Sequence, residues 1–215
     1  EASIAALTQA ELKAWVAARL RPDRATVLVV GDITLADLTA KLDAALAGWK
    51  APAAAAPATP LPTVALPKKA RVFLIDQPGA VQATILVAQL MPPTTDAGAT
   101  PLEIANAVLG GEFGSRLNMN LREAKHWAYG AYSGVSDALG QRPWIASASV
   151  QIDKTAESAK ELDREIREYA TGARPALPAE LTKIQATEVR GLPGSYETAG
   201  AVLGTLAAGF FLIEH

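Results

Sequence analysis

The chain has 215 residues, 50% of them hydrophobic and 20% charged, a balance that can bury a sizeable core in one large domain or a domain and a half. Its net charge of −2 offers no basic excess to neutralise phosphates, which argues against nucleic acid as a partner. Cysteine is absent, which excludes disulfides, thiolate catalysis and cysteine-bound zinc, and no apolar run approaches the roughly 18 residues of a membrane span.

Thr8 to Leu20 reads as a helix: Thr8 and Glu11 are spaced as a capping box, Leu12, Trp15, Val16 and Leu20 share a face, and Pro22 ends it. Ala25–Val30 is a short apolar strand closed by Gly31-Asp32. Thr34 then caps a second helix with Leu35, Leu38, Leu42 and Leu46 as its stripe and Gly48 at its end. Residues 51–67 hold five prolines and seven alanines with almost no charge, a composition that reads as a semi-extended linker.

Arg71–Asp76 is expected as a strand, Gln77-Pro78-Gly79 as a turn and Ala80–Met91 as a second, longer strand. Thr100-Pro101-Leu102-Glu103 has the order of an N-cap, a first-turn proline and an early acid, so a helix is placed from there to Leu109, stopping at Gly110-Gly111. Another covers about Ser115–Lys125. Tyr129–Asp137 and Trp144–Ile152 alternate with period two, and Trp144, Ala146, Ala148, Val150 and Ile152 fall on one face. Joined by Ala138–Pro143, the two form an antiparallel pair. Helices follow at about 155–170, 179–190 and 195–213, and the last has no stop signal before His215. The charged run Glu157–Glu168 reads as a solvated helix face with i,i+4 pairs. Hairpin strands with segregated helices give an α+β fold, a mainly antiparallel sheet with helices packed on one face.

Chemistry concentrates between Gly110 and Ser133, GGEFGSRLNMNLREAKHWAYGAYS. A glycine-rich loop (Gly110, Gly111, Glu112, Phe113) opens a helix carrying Arg122, and Tyr129 begins the next strand. On the residues alone, Arg122 pairs with a neighbouring acid and Tyr129 is a core side chain, or the two present a fixed cation and a phenol to a ligand. His126 has no Glu three residues on and no second His four away, so it reads as a surface or packing residue, not a ligand. His215 carries no assignment. The glycine loop lacks the Lys-Ser/Thr of a phosphate-binding P-loop.

This segment resembles the zinc-free second half of the pitrilysin/insulinase zinc metallopeptidases, the inverzincins, which include processing-peptidase-like members. Leu109-Gly110-Gly111, Ser115-Arg116-Leu117 and Leu121-Arg122-Glu123 are similar to the family's motifs at the family's spacings, as are Asp76-Gln77-Pro78-Gly79-Ala80-Val81-Gln82 upstream and Leu20-Arg21-Pro22, Thr26–Asp32 and Leu46–Trp49 near the start. The family's H-x-x-E-H zinc signature is absent. The resemblance implies residues 1–50 as the helix-strand-helix end of a preceding lobe, 51–70 as a Pro/Ala-rich linker, and 71–215 as the zinc-free second lobe, truncated at its C-terminal end.

The resemblance also implies a role. Two similar lobes close on an extended peptide; zinc sits in the partner half that carries H-x-x-E-H, on the same chain or a separate subunit. This chain holds none of it, is inactive alone, and contributes Arg122 and Tyr129 to the substrate, with Gly110, Gly111, Glu112 and Phe113 as loop contacts. The alternative is a non-catalytic family member serving as a peptide-binding or scaffolding subunit. Ala25–Val30 is expected to dock on the sheet of 71–152, within the chain or by exchange in a homodimer. The cysteine-free composition suits periplasm and cytosol equally and leaves the compartment unknown; of a bacterial-type periplasm or cytoplasm, the periplasm is slightly favoured. The chain departs from the family at Lys125-His126-Trp127, where a basic residue, glycine and leucine are common, and at Glu112 and Gly114 in the loop.

Overall fold

The structure is a computed structural model and describes residues 2–213. His215 lies outside the described residues. The chain divides into two compact units, one of residues up to Pro60 with Ser195–Ala208, the other of Leu61–Gly194 with residues from Gly209 on.

The first unit contains α1 (Ala2–Ala5), α2 (Gln9–Arg19) and α3 (Leu35–Leu46). The capping box of α2 forms as expected: the Thr8 hydroxyl accepts from the Glu11 amide at 3.2 Å and the Glu11 carboxylate accepts from the Thr8 amide at 2.8 Å. Thr34 caps α3 by accepting from the Asp37 amide at 3.2 Å. Ala25–Val30, expected as a strand, makes no ladder, and Val27 and Val29 stay largely exposed. An apolar β-branched run specifies an extended backbone; a strand also needs a neighbour to pair with. Arg21 is buried and donates through Nη1 to the Ala54 carbonyl at 2.8 Å and through Nη2 to the Pro52 carbonyl at 3.2 Å, so this proline-rich stretch is held by its backbone oxygens.

The second unit is built on β1 (Gln82–Met91), α4 (Ala99–Asn106), α5 (Arg116–Asn118), β2 (Ala128–Val135), β3 (Arg142–Gln151), α6 (Thr155–Ala170) and α7 (Pro178–Gly191). α8 (Ala199–Ile213) follows. The strands form an antiparallel sheet in the order β1-β3-β2, with Ile85 opposite Ala148 and Tyr132 opposite Ser147. The period-two alternation read for β3 holds: Trp144, Ala146, Ala148 and Val150 are buried, and Ile145 is exposed between them. With Leu109, Leu117, Leu121 and Leu162 they form the core, so helical residues cover one face of the sheet. Ile152, expected on that face, has left the strand for a 3-10 turn and is exposed.

Three further expectations are corrected. Arg71–Asp76 is extended but unpaired, and its four central side chains, Val72 to Ile75, are each at least 77% exposed. Alternation cannot reveal whether a partner strand lies alongside. α4 starts at Ala99 with Gly98 as N-cap, not at Thr100, because the Asp96 carboxylate already accepts from the Gly98 amide at 2.8 Å and the Asp96 carbonyl from the Ala99 amide at 3.0 Å. The face of α6 is not wholly solvated: Glu165 is 5% exposed, accepting from Asn120 at 2.8 Å and Arg174 at 3.0 Å. Its expected pairs do form nearby, as Arg167 with Asp163 and Arg164 with Glu168.

Candidate functional site

α4 does not stop at Leu109 but runs into a π-helical turn over Ala107–Gly111, and α5 likewise widens into one over Met119–Ala124. Such turns insert a residue into the helical ladder and recur at functional sites. The first brings the backbone against β2: a Cβ on Gly110 would lie 2.3 Å from Ser133 Oγ and 2.6 Å from Ser133 N. Only glycine permits that approach. Asn106 closes the same seam, its Oδ1 accepting from the Ser133 hydroxyl at 2.6 Å and the Trp144 indole at 2.8 Å.

The loop after this turn is tied at both ends. Asn118, fully buried, donates to the Phe113 carbonyl at 2.7 Å and accepts from the Ala131 amide of β2 at 3.2 Å. Arg116 is bidentate on Glu180, with Nε at 2.9 Å and Nη2 at 2.6 Å, and also donates to the Arg174 and Pro175 carbonyls. That contact, more than any other, holds the Glu180 carboxyl below the usual carboxylate range and raises Arg116. A cavity of about 30 Å³ beside the loop is lined by Glu112, Gly114, Ser115 and Lys183, room for about one water.

The helix carrying Arg122 ends at His126, whose φ of 56° lies in the left-handed region. The Trp127 amide then donates to the Leu121 carbonyl at 3.0 Å, turning the chain sharply into β2. At the start of β2 the register slips: Ala128 faces Val150 but Ala131 faces Ala148. This bulge places one extra residue among Tyr129 and Gly130. Ala128 and Ala131 therefore both turn inward, while Tyr129 is thrown outward at 85% exposure.

Arg122 Cζ lies 4.5 Å from the centroid of Phe113 and 5.3 Å from that of Tyr129. Both are cation–π distances. Its ion pair is with Glu123, next in sequence, at 3.3 Å. Exposed pairs of this kind hold a side chain weakly. Among the described residues neither terminal nitrogen of Arg122 nor the Tyr129 hydroxyl makes a hydrogen bond. The arrangement thus offers a guanidinium fork and a phenol to one side of β2, an edge strand.

Of the residues singled out in the sequence, Arg122, Tyr129 and Phe113 come together. Gly111 is exposed on the loop, Glu112 faces the small cavity, and Gly110 is buried against Ser133. His126 shapes the helix end. Asn118 and Asn106, which hold the site's backbone, were not singled out; the available signal was an amide residue inside an otherwise apolar helical stretch. No group of three or more His, Cys, Asp or Glu among the described residues could hold a metal ion, so the residues present do not fit a zinc site.

The family described as Peptidase M16 inactive domain matches residues 6–186. The chain belongs to the M16 peptidase family, as its inactive domain. This is the zinc-free C-terminal half of the pitrilysin-type peptidases that the glycine loop and the Leu-Arg-Glu motif resemble. Among solved structures, a protease from Helicobacter pylori is similar with a TM-score of 0.85 at 22% identity, over 98% of this chain and 51% of that one. A peptidase M16 inactive domain from Pseudomonas fluorescens is similar with a TM-score of 0.68 at 22% identity, over 96% of this chain and 48% of that one. This M16 domain therefore spans about half the length of the structures it matches. No curated protein sequence matches it significantly. No helix among the described residues is long and apolar enough to cross a membrane.

His126 holds a backbone conformation, φ 56°, that glycine adopts without strain.

Proposed function

We propose that this chain is the substrate-clamping half of an M16 zinc endopeptidase acting on extended peptides. The observation that carries the reading is the convergence of Arg122 and the exposed Tyr129 beside the start of β2, each with polar groups unspent on the protein itself. Arg122 donates to peptide carbonyls through its in-plane N–H groups. Tyr129 donates its hydroxyl to the scissile carbonyl oxygen as that oxygen gains negative charge. The peptide binds in part by adding its backbone to a sheet edge; on β2 the Ala131 amide and the Ser133 carbonyl are already taken by Asn118 and Asn106. Zinc belongs to the partner half with the H-x-x-E-H signature, on the same chain or a second subunit.

Combining this chain with that half and following a mixed set of fluorogenic peptides tests the reading. Cleavage is expected only in the combination, and Tyr129→Phe is expected to lower turnover about 100- to 1,000-fold, the cost of losing one oxyanion donor. Cleavage unchanged by both Tyr129→Phe and Arg122→Ala overturns it. Peptide binding with no cleavage in any combination identifies a peptide-binding or scaffolding subunit instead.

A further inference from the structure

Phe113 is the side chain in this region that neither the core nor a hydrogen bond explains. It sits between Gly111 and Gly114 with 57% of its surface exposed and outside the hydrophobic clusters. A glycine-flanked loop should leave it mobile, yet its carbonyl is fixed by the fully buried Asn118 amide at 2.7 Å. The same Asn118 side chain accepts from the Ala131 amide, two residues from Tyr129. One buried amide thus sets the spacing between the loop that bears Phe113 and the strand that bears Tyr129. Arg122 lies over both rings, nearer to Phe113 at 4.5 Å than to Tyr129 at 5.3 Å.

We infer that Phe113 is a positioning residue for Arg122: its ring holds the guanidinium in the orientation that presents the N–H edge to a bound peptide. The inference rests on the clamp reading above and adds to it a residue that acts through Arg122. A cation–π contact engages no oxygen acceptor and leaves the terminal donors available, whereas an ion pair would consume them. The Glu123 carboxylate cannot serve the same purpose, since at 3.3 Å and with both partners solvent-accessible it is a weak restraint. Arginine loses much side-chain freedom when it binds, and prior ordering reduces that cost.

The test uses the complete protein, with its zinc-bearing half, labelled with 15N-arginine and kept from cleaving by chelation. Phe113→Leu, Phe113→Tyr and Arg122→Ala are compared, singly and as the Phe113→Leu/Arg122→Ala pair, for binding of a fluorescent mixed-sequence decapeptide. Phe113→Leu keeps an apolar side chain on an exposed loop, so the fold is retained. It is expected to weaken peptide binding about 2- to 5-fold, the range of one cation–π contact at an exposed site. It is also expected to move the Arg122 Nε–H resonance out of its ring-current shift. Phe113→Tyr preserves both, and Phe113→Leu has no further effect once Arg122 is Ala. An Arg122 resonance unmoved by Phe113→Leu, or an equal loss of binding in the Arg122→Ala background, overturns the positioning role while leaving the clamp reading intact. Binding unaffected by Arg122→Ala removes the clamp reading and this inference with it.

Discussion

Arg116 and Glu180 are locked in a two-pronged ion pair, 2.9 and 2.6 Å, that ties the short helix after the glycine loop to the start of α7. Glu180 also accepts from the Leu177 amide at 2.7 Å, so one carboxylate closes the loop and caps a helix. Arg116 is 11% exposed, and truncating it leaves a partly buried carboxylate without its cation. Arg116→Ala is expected to cost about 3 kcal/mol in urea unfolding at neutral pH.

The same pair predicts a pH dependence. The Glu180 carboxyl is held low first by its hydrogen bond from Arg116, so its folded pKa lies below its unfolded one. Its contribution is therefore complete above the unfolded carboxylate range and is lost as pH falls through the folded pKa. Glu180→Gln is expected to be less stable than the parent at pH 7 and to converge with it in acid. Parallel stability curves for the two across that range contradict the prediction.

Gly110→Ala tests the seam under the site. Its Cβ would stand 2.6 Å from the backbone nitrogen of Ser133, which no rotamer change can relieve. Overpacking of this kind costs about 1–3 kcal/mol. Adding Ser133→Ala is expected not to restore stability, because the obstructing atom is main chain.

These relationships show how far residue patterns reach. β3 was legible because its buried face alternates without a break from Trp144 to Val150. The capping box of α2 was legible because Thr8 and Glu11 interact locally. Arg71–Asp76 and Ala25–Val30 were not, since pairing depends on what lies beside a strand. At the site, spacing pointed to Arg122 and Tyr129, but their meeting depends on a bulge and a left-handed His126, which leave no periodic trace. Asn118 was missed for a related reason: a buried amide announces itself only once its two backbone partners, Phe113 and Ala131, are in place.

His126 carries a conformational cost that glycine would not. A side chain in the left-handed region costs roughly 1–2 kcal/mol, and histidine is among the residues that tolerate it. His126→Gly regains part of this but loosens the unfolded chain, so a net gain of about 0.5–1 kcal/mol is expected. His126→Val, branched at Cβ, is expected to destabilise. Thermal unfolding of both variants checks the pair of signs.

Arg122 and Tyr129 themselves are expected to contribute little to folding, and this separates function from stability. Tyr129 is 85% exposed and makes no hydrogen bond through its hydroxyl among the described residues, so Tyr129→Phe removes nothing the fold uses. Arg122 loses only exposed stacking and a weak pair with Glu123. Both Tyr129→Phe and Arg122→Ala are expected to unfold within about 0.5–1 kcal/mol of the parent. A loss of about 2 kcal/mol or more in either, twice the exposed-site range, assigns that residue to the scaffold. An unchanged unfolding midpoint alongside lost peptide turnover ties the deficit to the start of β2, where the two side chains meet.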